Sequence, residues 1–135
     1  MSKDISGASG ESGAPVTFIN VFDIAADQLD AFIVQWERRA ALMSAKPGFL
    51  DSRLHRARSS QTRFQLVNVS HWESQEAWEA GTADSEFRAR THAARTDPHT
   101  PVTSSPGLYD IAAEFIAGAA EVIAGAEEPP VARHR

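Results

Sequence analysis

Hydrophobic residues change their spacing several times along this chain, and each change predicts a new element. Val16 to Phe22, VTFINVF, is β-branched and aromatic and predicts a first strand. From Asp27, a residue suited to an N-cap, apolar positions recur at Leu29, Phe32, Ile33, Trp36, Ala40 and Met43. That is the stripe of an amphipathic helix, and Lys46-Pro47-Gly48 ends it. Phe49 to Ala57 and Arg63 to Trp72 read as two strands of a hairpin around the polar stretch RSSQT. Ser74 is a suitable cap for a second helix holding Ala77 and Trp78, which Gly81 interrupts and Asp84 restarts through Phe87 to about Arg95. Thr96 to Gly107 carries three prolines and reads as an irregular segment able to border a pocket, after which Leu108 to Phe115 returns as a fourth strand. A disordered arm at residues 1–15 and an Ala/Gly-rich extension and tail at 116–135 flank the domain at 16–115.

The order β-α-β-β-α-β predicts an α+β, ferredoxin-like fold, an antiparallel sheet with both helices on one face and the first and third strands paired at its centre. Strand alternation puts Phe18, Asn20 and Phe22 on one face of the first strand, and Phe64, Leu66, Asn68, Ser70 and Trp72 on one face of the third. Two carboxamides, Asn20 and Asn68, therefore fall between sheet and helices, with Trp72 one pleat beyond. An unpaired buried amide costs about 1–3 kcal/mol, so these groups must bond to each other, to backbone or water, or to a ligand. Cross-linking of the central strands is the structural alternative to a site. The opposite face offers Ile19, Val21, Val67 and Val69 among Thr17, Gln65, Arg53 and His55. No remaining segment covers it, so it predicts a homodimer through the open sheet face.

Composition narrows the chemistry. With 135 residues and 42% hydrophobic content the chain suits one domain, and a net charge of −5 with interspersed signs gives no field for nucleic acid or an anionic membrane. There is no cysteine, hence no disulfide or thiolate chemistry. The first fifteen residues lack the apolar run of a secretory signal, and IAAEFIAGAAEVIAGA carries Glu114 and Glu121 and is too short to span a bilayer. A cytoplasmic location is expected. The five histidines show no metal-ligand spacing with acidic residues, and no phosphate-binding glycine loop is present.

VTFINVF, KPGF after the first helix, FQLVNVSHW followed by ESQEAW, DSEFRARTH in the second helix and SSPGLYDI before the last strand together resemble the antibiotic biosynthesis monooxygenase family of dimeric α+β barrels. Within it the chain is most similar to the cofactor-free anthrone oxygenases of aromatic polyketide pathways, which use asparagines of the first and third strands and a tryptophan. The match falls on Asn20, Asn68 and Trp72. The resemblance implies oxidation of an anthrone-like intermediate to a quinone by O₂, with no flavin or metal, Asn20 and Asn68 donating to the enolate or nascent peroxide and Trp72 walling the pocket. Phe18, Phe22, Phe64, Leu66, Trp36, Trp78, Phe87 and His92 are the expected substrate-binding side chains. Asparagine is no ordinary base. His55 and His71 alternate onto the opposite face, which leaves His92 or a carboxylate to remove the proton.

Heme-degrading relatives bind iron through a histidine of the second helix. His92 lies near that position, although Gly81 stands close to where their helical tryptophan falls, and on its helix His92 shares a side with Arg88 and Arg95. Heme binding is thus the alternative, and a dimeric polyketide-binding or cyclase-assisting protein that does not oxidise its guest is another.

Overall fold

A computed structural model describes residues 13–118. The arm up to residue 12 and the extension from residue 119 onward lie outside the described residues. Eight elements follow one another: β1 (Val16–Ile24), a 3₁₀ turn (Ala26–Gln28), α1 (Leu29–Ser44), β2 (Phe49–Arg56), β3 (Leu66–Trp72), α2 (Gln75–Thr82), α3 (Ser85–Thr96) and β4 (Val102–Tyr109). The strands form one antiparallel sheet in the order β2-β3-β1-β4. This is the ferredoxin-like α+β arrangement that the element order predicts.

Local chemistry explains most boundaries. Ser74 accepts from the Ala77 N–H and Asp84 from the Phe87 N–H, so the second helical region is two capped helices with a break after Thr82. Asp84 also takes the Lys46 ammonium at 2.8 Å, and these bonds hold its carboxyl below the usual carboxylate range, Lys46 contributing most. Gly48, at φ +86°, turns the chain from α1 into β2 in the left-handed region, and a Cβ there would meet Ala77 Cβ.

Three expectations are corrected. Asp27 does not cap α1; the 3₁₀ turn intervenes, and Gln28 occupies the cap position with no side-chain bond. The fourth strand is Val102–Tyr109 rather than Leu108 to Phe115, and it includes Pro106. β4 pairs with β1 alone, and an edge strand tolerates a residue with no N–H because only one of its sides is hydrogen-bonded. Gln65 does not join the open sheet face: it is buried, and its Nε2 donates to the carbonyls of Ser59 and Thr62, closing the hairpin turn.

The closed core sits at one end of the sandwich, where Phe22, Ile24, Leu29, Phe32 and Leu66 pack together against Ile33, Trp36, Leu54 and Val102. Phe22 and Phe32 meet at 5.0 Å between centroids. Each fully buried side chain of this size contributes roughly 1.5–3 kcal/mol by leaving water, which anchors α1 across β1 and β3. On the other face, Thr17, Ile19, Val21, Val67, Val69 and His71 are half-buried within the single chain.

Candidate active site

Beyond the core, sheet and helices separate around a cavity of about 260 Å³. Register builds its floor: Asn20 on β1 and Asn68 on β3 are direct cross-strand partners, with Phe18 opposite Ser70 and Val16 opposite Trp72. Because strand side chains alternate, Phe18, Asn20, Phe22, Asn68, Ser70 and Trp72 all line the same hollow. From β2, Ser52 Oγ donates to Asn68 Oδ1 at 2.8 Å. With its oxygen so engaged, Asn68 keeps the Nδ2 hydrogens to offer a guest. Asn20 Oδ1 is buried and has no partner among the described residues.

Trp72 is 2% exposed and meets Phe49 edge-on, with centroids 5.2 Å apart at 88°. Its benzo ring lies so near α2 that a Cβ on Gly81 would fall 2.7 Å from Cη2. Gly81 therefore makes room for the indole that walls the cavity. Trp78 stacks on Phe18 at 5.7 Å, adding a second aromatic wall.

Of the other side chains expected to hold a guest, Phe18, Phe22, Trp36, Trp78 and Phe87 line the cavity. Phe64, Leu66 and His92 do not. Phe64 precedes β3 and lies under the Arg63 guanidinium, whose carbon is 4.8 Å from its centroid. Leu66 points to the same side as Asn68 but is fully buried in the closed core. His92 is exposed; α3 turns Phe87, Thr91 and Ala94 inward instead, at steps of four and three residues. His55 is exposed on the opposite face, and His71 pairs with Asp51 at 2.6 Å.

Among the described residues that line the cavity there is no histidine, aspartate or glutamate. The expectation of a general base at His92 or a nearby carboxylate is therefore not met among the described residues. Two arginines border the cavity instead, Arg39 from α1 and Arg95 from α3. Arg39 is 8% exposed, its Nε and Nη2 have no hydrogen-bond partner among the described residues, and burial draws its guanidinium below the usual arginine value. Thr91 Oγ1 is likewise buried and unpaired. Arg39 could have been found in the sequence, because it stands three residues after Trp36 and seven after Phe32, on the apolar stripe of α1.

No group of three or more His, Cys, Asp or Glu side chains among the described residues could hold a metal ion. His92, the only candidate for an axial ligand to heme iron that the second helical region suggested, faces away from the hollow. No helix among the described residues is long and apolar enough to cross a membrane.

The fold and the hollow are those of a small ferredoxin-like α+β domain, and the sequence profile of the antibiotic biosynthesis monooxygenase family matches residues 15–93. The chain belongs to that family. Among solved structures it is similar to a candidate monooxygenase from Shewanella loihica PV-4, with 30% identity, 75% of this chain and 97% of that one covered, and a TM-score of 0.63. It is similar also to SnoaB, a cofactor-independent oxygenase from Streptomyces nogalater, at 26% identity, with 76% and 97% coverage and a TM-score of 0.64. A point mutant of MhuD, solved with two manganese protoporphyrin IX molecules in each active site, shares the fold at 23% identity, with 74% and 97% coverage and a TM-score of 0.56. Structural relatives thus include both a cofactor-independent oxygenase and a porphyrin-binding protein. No curated protein matches the chain.

Proposed function

We propose that this protein is a cofactor-independent monooxygenase that converts an anthrone-like aromatic polyketide intermediate to a quinone with O₂, as a homodimer joined through the open sheet face. The observation that carries the reading is the directly opposed pair Asn20 and Asn68, beside buried Trp72, with Ser52 holding the Asn68 oxygen. Similarity to SnoaB supports the absence of a cofactor. The half-buried apolar side chains of the outer face support the dimer.

The reaction asks little of the protein beyond position and charge. An anthrone that loses one methylene proton becomes an electron-rich enolate. One electron passes to O₂, the resulting radical and superoxide combine at that carbon, and the peroxide takes up a proton. Loss of water across the remaining C–H bond then leaves the carbonyl. One oxygen atom enters the quinone and the other leaves as water, with both pairs of electrons supplied by the substrate. Amide N–H groups aimed at the enolate or peroxide oxygen stabilise charge that develops during the reaction, at about 3–4 kcal/mol for a well-placed donor. With Arg39 and Arg95 in the lining and no carboxylate there among the described residues, the surroundings favour the ionised guest.

Aerobic incubation of purified protein with an anthrone tests this. Quinone absorbance should rise faster than in buffer, and mass spectrometry in labelled O₂ should show one incorporated oxygen atom. A rate equal to buffer for anthrones of several substitution patterns would remove the oxygenase reading and leave a non-oxidising polyketide binder.

A further inference from the structure

Stabilising an enolate accounts for the amides, and it leaves the most expensive group in the cavity without a task. Arg39 projects from α1, is 8% exposed, and among the described residues has neither a carboxylate nor a hydrogen-bond partner for Nε and Nη2. Among the described residues the Phe32 ring, 5.4 Å from the guanidinium carbon, supplies a modest attraction. Burying an unpaired charge is among the costlier things a fold can do, and proteins that keep one usually match it with an opposite charge. Among the described residues the lining offers none.

Two further buried atoms on the same cavity share this condition, Thr91 Oγ1 on α3 and Asn20 Oδ1 on β1. Polar atoms from three elements therefore wait for partners around one hollow. Their chemistry differs. Nε and Nη2 lie on one edge of the guanidinium, the pair of N–H groups that grips a carboxylate in two parallel bonds. The threonine hydroxyl can donate or accept, and the amide oxygen calls for a hydroxyl donor.

We infer that the guest is an aromatic acid: it carries an anionic oxygen, either a carboxylate or an ionised phenol, that pairs with Arg39, and it presents neutral hydroxyls to Thr91 and Asn20. This deepens the oxygenase reading by naming the substrate class, and it rests on that reading for the ring system of the guest alone. Binding can be measured with product-like quinones, so it succeeds or fails independently of turnover.

The probes are a dihydroxyanthraquinone carboxylate and its counterpart with methyl in place of carboxylate, titrated at neutral pH by quenching of tryptophan fluorescence. Trp36, Trp72 and Trp78 all line the cavity and report occupancy. A bidentate charged pair should favour the carboxylate by about tenfold or more, and Arg39→Met should abolish that preference while the methyl probe still binds. Arg39→Lys, which keeps the charge and loses the fork, should retain part of it. If the anion is instead a phenol, the carboxylate brings no advantage, but the bound methyl probe should show its ionised, red-shifted absorption at lower pH in wild type than in Arg39→Met. Absence of both effects overturns the inference. So does an Arg39→Met protein that unfolds more readily than wild type and loses both probes together, because that pattern belongs to an arginine serving the fold.

Discussion

Replacing Gly81 by alanine should separate a glycine that merely sits in a helix from one that makes room for a neighbour. In an exposed helix the change stabilises by about 1 kcal/mol, because alanine loses less backbone freedom on folding. Here the new Cβ would fall 2.7 Å from Trp72 Cη2 and 2.9 Å from Cζ3, with Lys46 Cβ at 3.4 Å. Trp72 cannot yield easily, since it is buried on a central strand and braced edge-on by Phe49. Overpacking of this kind costs about 1–3 kcal/mol, so the net effect should be near zero to about 2 kcal/mol destabilising. The two contributions separate in a double-mutant cycle with Trp72→Phe, whose smaller ring lacks the two carbons involved. Urea unfolding of the four proteins is the assay. Gly81→Ala should be neutral or destabilising in wild type and stabilising beside Trp72→Phe, a coupling of at least about 1 kcal/mol. Equal stabilisation in both backgrounds would refute the packing argument and with it the role of Gly81 in shaping the cavity wall.

Ser52→Ala should leave Asn68 Oδ1 unpaired, reduce stability by about 1 kcal/mol, and lower kcat more than it raises KM, because the amide loses its fixed orientation; equal binding and turnover losses would argue against orientation. Asp84→Asn tests linkage. The folded-state pKa of Asp84 is depressed by Lys46 and by the cap bond, so its contribution is present above the ordinary carboxylate range and is lost as the pH falls through and below that range. Thermal midpoints measured against pH should therefore converge for wild type and Asp84→Asn in acid and diverge toward neutrality; a constant gap would contradict the pairing. Hemin titrated into wild type and into His92→Ala should give the same Soret spectrum, because His92 is exposed and outside the cavity; a sharp band lost only in the variant would restore the heme reading.

What the sequence made legible follows from where period alone decides geometry. Alternation along β1 and β3 was enough to place Asn20, Asn68 and Trp72 on one face, and pairing of the two strands brought the amides opposite each other. The same rule failed at Phe64, because it was extended past the start of β3, where the chain is still leaving the hairpin turn. Leu66 obeys the rule yet serves the core, since a face does not say where along the sheet the packing closes. His92 misses the cavity by one residue, a helical phase that the Asp84 cap sets only to within about a residue when read from sequence. β4 was displaced because prolines suggest loops, and only the sheet order reveals an edge strand able to hold Pro106. Arg39 is legible only as an arginine on the apolar stripe of α1; that it borders a hollow depends on how sheet and helices separate there.

The central claim is that two amides opposed across β1 and β3 stabilise negative charge on a reacting aromatic guest. Turnover of an anthrone by wild type, Asn20→Ala and Asn68→Ala, set beside their urea unfolding, tests it most directly. The account predicts that Asn68→Ala lowers kcat/KM by about a hundredfold or more, the loss of one oriented donor, while stability changes by no more than about 1–2 kcal/mol. Near-wild-type turnover in both variants, or activity that falls only in step with the folded fraction, would contradict it.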